Sequence, residues 1–154
     1  MANPNEWGPS MWKIIHITSL SVGKQTVPML QQDEIHALKQ FIKQLGLLIP
    51  CKLCRTHYLD YSRTHKINYK YTEVKESVAY YFWNLHSEIN TTNGKPNIEF
   101  NELEMYYPKN DISMLMKDFN TLFKKYILQR IVCADNYNNF VKSFIRLYSI
   151  ININ

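Results

Sequence analysis

Cys51 and Cys54 stand in the stretch Pro50-Cys51-Lys52-Leu53-Cys54-Arg55-Thr56-His57-Tyr58, two of only three cysteines in a chain of 154 residues. The two-residue gap lets one disulfide close between them. That spacing suits a redox-active disulfide, half of a zinc site, or two buried thiols. Pro50 sets a helix start, so both cysteines fall in a first turn, where free backbone N–H groups and the helix dipole favour a thiolate. A disulfide there would exchange readily. Cys54 and Tyr58 share a face of that helix with His57 beside them, placing groups that can stack or hydrogen-bond next to the sulfurs.

Two other stretches carry residues of chemical interest. Trp12 and His16 lie four apart and so present an indole and an imidazole on successive turns of one helix. Core packing around one satisfied histidine would explain that pair equally well. Further on, Trp83, His86 and Asn90 align at spacings of three and four, a face both aromatic and polar that a purely structural helix seldom needs.

The elements that must hold these residues are helical. Apolar residues recur at helical spacing and four glycines leave little material for hairpins, so the predicted class is all-α. A first helix starts around Trp7-Gly8-Pro9-Ser10 and ends near Gly23. A second, capped by Asp33, carries Ile35, Leu38, Ile42, Leu45 and Ile49 up to Pro50. The third holds the cysteines. The fourth opens with Thr72 as cap and Glu73 in its first turn, buries Val74, Val78, Tyr81, Phe82, Leu85 and Ile89, and ends at Asn93-Gly94. Later stripes, one in 111–130 and one of Phe140, Phe144, Leu147 and Ile151, predict two more helices.

The chain is 45% hydrophobic and 14% aromatic, enough for a packed core in one globular unit. The net charge of +5 comes from scattered bases, and Lys117, Lys124, Lys125 and Arg130 read as a solvated face; no nucleic-acid partner is expected. No apolar run approaches the roughly 20 residues of a membrane helix, and no basic start leads into an apolar core. A soluble, unsecreted, cytoplasmic protein is expected.

Taken together, Trp12-x-x-x-His16, Pro50-Cys51-x-x-Cys54 and His86-x-x-Ile89-Asn90-x-x-x-Gly94-Lys95-Pro96 resemble the Erv/ALR family of FAD-linked sulfhydryl oxidases, over residues 7 to 107. The resemblance implies a four-helix bundle with a short fifth helix at Phe100 to Tyr107. It gives residues 1–108 as the bundle and 109–154 as a helical extension packed on it or at a homodimer interface. It also implies that FAD is gripped by side chains, since no Gly-rich nucleotide loop is present. Gly8, Trp12 and His16 would form one contact segment and Trp83, His86 and Asn90 a second. Lys95 would lie near the pyrophosphate, and His57 and Tyr58 near the cofactor.

By the same resemblance, substrate thiolate attacks Cys51, read as the more exposed sulfur, and Cys54 faces the flavin, with dioxygen as acceptor and hydrogen peroxide as product. Substrates would be protein thiols or an intermediary dithiol oxidoreductase. Only Cys133 remains, so neither a further structural disulfide nor a shuttle pair can form within the chain. That economy resembles the oxidases of large DNA viruses, which implies host cytoplasm or virion. Ser87 stands where the family generally has Asn. Cys133 itself reads as buried, with a relay or intermolecular bridge as the alternative. A zinc-stabilised binding module using Cys51, Cys54 and two of His57, His65 or Cys133 is the rival reading, though no second half-site has regular spacing. A thioredoxin-like reductase would need strands around the pair.

Overall fold

Asn3 accepts a hydrogen bond from the N–H of Asn5 at 3.0 Å and Pro4 takes the first helical position, so α1 (Pro4–Ser21) begins a turn earlier than the Trp7 stretch predicts. Pro9 then lies inside the helix, where it forfeits one bond to the preceding turn. The computed structural model describes residues 2–109 and 112–152. Proline also opens α2 (Pro28–Leu48), with Val27 before it and no side-chain cap; Asp33 is inside this helix rather than capping it. A preset backbone dihedral at the first position has displaced the expected acidic cap.

α3 (Lys52–Thr64) is capped by Cys51, and α4 (Tyr71–Thr92) follows Lys70 at the cap position, so Thr72 is already helical. The Asn68 side chain organises that start, accepting from the Lys70 N–H at 3.0 Å. Gly94, at φ +68, lets the chain turn away after α4. A 3₁₀ turn (Phe100–Glu102) and the short α5 (Leu103–Tyr106) occupy the span predicted for the fifth helix. Then come α6 (Ile112–Leu128) and α7 (Ala134–Ile151). Asp111, predicted to open the sixth helix, lies outside the described residues. Every regular element among the described residues is helical, as the 3.6-residue periodicity predicts.

α1 packs on α4 and α6, while α2 packs on α7 and α3. One core joins them: Ile14, Phe41, Leu45, Phe82, Leu85, Phe119, Phe123 and Phe140 are essentially inaccessible. Phe140 of α7 meets Phe41 at 5.7 Å and Phe119 at 5.5 Å between centroids, so the C-terminal helices share the bundle's core. Polar ties reinforce the arrangement. The Thr18 and Tyr148 hydroxyls lie 2.9 Å apart, and buried Glu34 accepts from the Gly23 N–H at 2.6 Å and from the Tyr71 hydroxyl at 3.1 Å. Near the cysteines, α2 and α3 approach closely: a Cβ at Gly46 would come within 2.7 Å of the Tyr58 ring, and the Tyr58 hydroxyl donates to the Ile42 carbonyl at 2.8 Å. Glycine at 46 therefore lets the Tyr58 ring of α3 pack directly on the backbone of α2.

Candidate active site

The packing of α1 on α4 brings Trp12 and His86 face to face, with ring centroids 3.9 Å apart and planes within 5°. His16, a turn beyond Trp12, sits 2.9 Å from His86 through Nε2 and Nδ1, one ring donating its N–H to the other. Tyr107, just after α5, closes on His16 at 4.4 Å. His16 is 1% exposed, and its Nδ1 has no partner among the described residues.

Burial holds both imidazoles neutral. It lowers His16 to about 3, with neighbouring His86 adding, and His86 to about 4, with the Lys95 ammonium adding. In the unfolded chain both would titrate near 6.5. Their contribution to stability is therefore full above that pH and lost as pH falls towards the folded values, because only the unfolded state takes up protons in between. Thermal or urea unfolding followed from pH 7 to pH 4 is expected to show stability falling by on the order of a few kcal/mol. Replacing His16 with glutamine should flatten that slope.

A cavity of about 650 Å³ opens beside the stack. Six of the nine residues predicted to touch a cofactor line it: Gly8, Trp12, Tyr58, His86, Asn90 and Lys95. Cys51 and Cys54 line it too, so α1, α3 and α4 deliver their chemistry to one space. Lys95 is held there by donating to the Asn5 side chain at 3.2 Å. His16 and Trp83 face instead a smaller space of about 340 Å³ that shares His86, Asn90 and Tyr107 with the larger one; Ser87 is in its wall. Trp83 is anchored away from the sulfurs, its Nε1 donating to the Ile98 carbonyl at 2.9 Å and its ring packing on Tyr80 and Phe100. His57, half-buried on α3, lines neither space. Trp7, Leu53, Asn93 and Tyr107 also line the main cavity, and no spacing in the sequence marks them.

The cysteines depart from expectation in three ways. Cys51 is the buried member at 5% exposure and Cys54 the half-exposed one, because Cys51 precedes the helix and packs into the core beside Ile49. The first-turn N–H of Cys54 donates to Cys51 Sγ at 3.3 Å, so the helix start serves Cys51. Cys54 in turn has its thiol pushed up to about 12, by burial first and then by its hydrogen bond to Cys51 and that sulfur's charge. A reduced pair therefore keeps a proton on Cys54. Cys133 is exposed at the cap position of α7, while its neighbour Val132 takes the buried place. Among the described residues no three His, Cys, Asp or Glu side chains converge as a metal site would need, which leaves the zinc reading without a ligand set.

The chain is 24% identical over 96 residues to protein 096R of Invertebrate iridescent virus 3, which is assigned by name as an FAD-linked sulfhydryl oxidase. The match spans 62% of this chain and 62% of the relative, so the chain covers less than two thirds of that relative's length. No solved structure matches it. Residues 9–108, which contain the stacked rings, the cysteine pair and the Lys95 turn, match the Erv1/Alr family, and the chain belongs to that family.

Proposed function

We propose that the chain is an FAD-dependent thiol oxidase that makes disulfides in substrate proteins, with dioxygen as acceptor and hydrogen peroxide as product. The observation that carries this reading is the convergence of Cys51, Cys54, Trp12 and His86 on one cavity of about 650 Å³. The name of the viral relative and the family both point the same way. They also favour host cytoplasm or the virion as the setting, and among the described residues no helix is long and apolar enough to cross a membrane.

The residues present fit the flavin nucleotide. The cavity walls are mostly apolar and aromatic, and a neutral indole and imidazole offer flat faces for a ring. The indole N–H of buried Trp7, which lines the cavity, has no partner among the described residues, as expected where a ligand completes the hydrogen bonding. Lys13 and Lys95 line the space and, among the described residues, no carboxylate does, which suits a ligand with an anionic linker. When bound, FAD supplies a two-electron acceptor for the dithiol and a donor to dioxygen.

The protein's own part begins with exchange at sulfur. One substrate thiolate attacks the Cys51–Cys54 disulfide, a second displaces the bound sulfur, and the substrate leaves as a disulfide while both cysteines are reduced. Cys51 Sγ then accepts the first-turn N–H of Cys54, while burial and the neighbouring sulfur favour the protonated form of Cys54. Trp12, His86 and Tyr58 would hold the ring system in the cavity that the pair lines, and the low basicity of His16 and His86 keeps positive charge out of the stack. The test is stoichiometry: with dithiothreitol in air, one peroxide should appear per oxygen consumed and per two thiols lost. Thiol loss without oxygen uptake would overturn dioxygen as the acceptor.

A further inference from the structure

The end of α2, the start of α3 and the α6–α7 turn enclose a second cavity, of about 630 Å³. Residues 45–55 line both this space and the cysteine cavity: Leu45, Ile49, Cys51 and Cys54 face one, Leu47, Leu48 and Arg55 the other. Ile127 and Ile131 add apolar wall from the far side. Arg55 and Arg130 bring two guanidinium groups, and among the described residues no carboxylate lines the space. Neither arginine is in an ion pair among the described residues. Arg55 follows Cys54 directly and is steadied by donating to the Ile49 carbonyl at 3.0 Å. Arg130 holds a left-handed φ of 59°, a conformation that helix ends usually give to glycine, yet the residue there is a bulky cation.

Exposed leucines lie on the segments that carry these residues. Leu128 is 85% exposed beside Arg130, Leu47 is 42% exposed in the wall, and Leu53, between the two cysteines, is 78% exposed. Leu47 sits in the groove and Leu53 in the cysteine cavity, so exposed apolar side chains stand on both sides of residues 45–55, with the two arginines on the groove side. We infer that this groove holds the polypeptide flank of the substrate cysteine and selects flanks that carry a carboxylate next to an apolar side chain. The inference rests on the thiol-oxidase reading and adds the substrate class to it. A planar guanidinium recognises a carboxylate through paired N–H donors, whereas a small dithiol offers the groove nothing to grip. Most of the groove, seven of its ten lining residues, comes from residues 127–136, beyond the 9–108 family match, which gives the C-terminal helices a part in substrate choice as well as in packing.

The experiment compares kcat/KM of the flavin-loaded protein for three thiols: dithiothreitol, a two-cysteine peptide with Leu-Asp flanks, and the same peptide with Leu-Lys flanks. Wild-type protein should favour the aspartate peptide. Arg130→Glu should lower kcat/KM for that peptide about tenfold, abolish the preference and leave dithiothreitol turnover unchanged, and Arg130→Lys should restore much of the loss. Raised salt should shrink the wild-type preference in step. Intact dithiothreitol turnover with no discrimination between the peptides, or an equal loss on all three thiols in Arg130→Glu, would overturn the groove alone. A wild-type protein inert toward dithiothreitol would overturn the thiol-oxidase reading and the groove with it.

Discussion

Replacing Cys51 or Cys54 by serine is expected to lower dithiol-driven oxygen consumption on the order of a thousandfold or more while leaving FAD in place. The two sulfurs act as a unit, because a disulfide needs both and a hydroxyl cannot enter the exchange. Cys133 cannot substitute, since it lines the second cavity and not the one that holds the pair. Either single variant should therefore be as inactive as the double. Retention of the cofactor is expected because most of the cavity wall comes from α1 and α4, which the substitution does not touch. Oxygen-electrode traces beside the visible spectrum of each variant make the check. Substantial turnover in either serine variant would remove the pair from the chemistry, and loss of flavin colour would assign the cysteines a binding role instead.

Trp12→Ala is expected to weaken FAD binding on the order of a hundredfold, and His86→Ala by a similar amount. Trp12 stacks at 3.9 Å on His86, and both rings line the cavity. Stacking of a ring on an aromatic side chain contributes about 1–3 kcal/mol, and removing one plate also frees its neighbour to turn. His86→Ala additionally leaves buried His16 Nε2 without its 2.9 Å partner, so this variant should lose thermal stability as well. Fluorescence titration of apoprotein with FAD reports the first effect and unfolding of the apoprotein the second. Wild-type affinity in both variants would mean that these rings do not hold the cofactor.

The helices were legible in the sequence because the stripes they bury are local. Val74, Val78, Phe82 and Leu85 repeat at spacings of three and four, and no other fold explains that spacing. Helix starts were less legible: Pro4 and Pro28 set the ends where Trp7 and Asp33 were expected to, since a proline at the first position competes with any downstream cap. The site was legible as types of residue at matched spacing, but its assembly was not. Trp12 and His86 are far apart in the chain, and only the packing of α1 on α4 makes them a stack.

Burial was the least legible property, because it depends on what other elements cover. Cys51 was expected to be the exposed sulfur by its position, yet it precedes α3 and falls against the core, while Cys54 on the helix faces partly outward. Cys133 reversed in the other direction, since Val132 is the residue that the α6–α7 turn folds inward. Tyr107 closes on His16 from a segment with no periodic pattern at all, so nothing in its neighbourhood announces it. Trp83 shares a helical face with His86 in sequence, but the Ile98 carbonyl captures its indole N–H and turns it towards the loop.

The most direct measurement is the visible absorption spectrum of the purified protein, reconstituted with FAD and followed through addition of a dithiol in air while oxygen is recorded in the same sample. The thiol-oxidase account predicts a flavin band that bleaches on addition, stays low while oxygen falls and returns when the dithiol is spent. A protein that cannot be loaded with FAD, or a bound flavin that never bleaches, would contradict it.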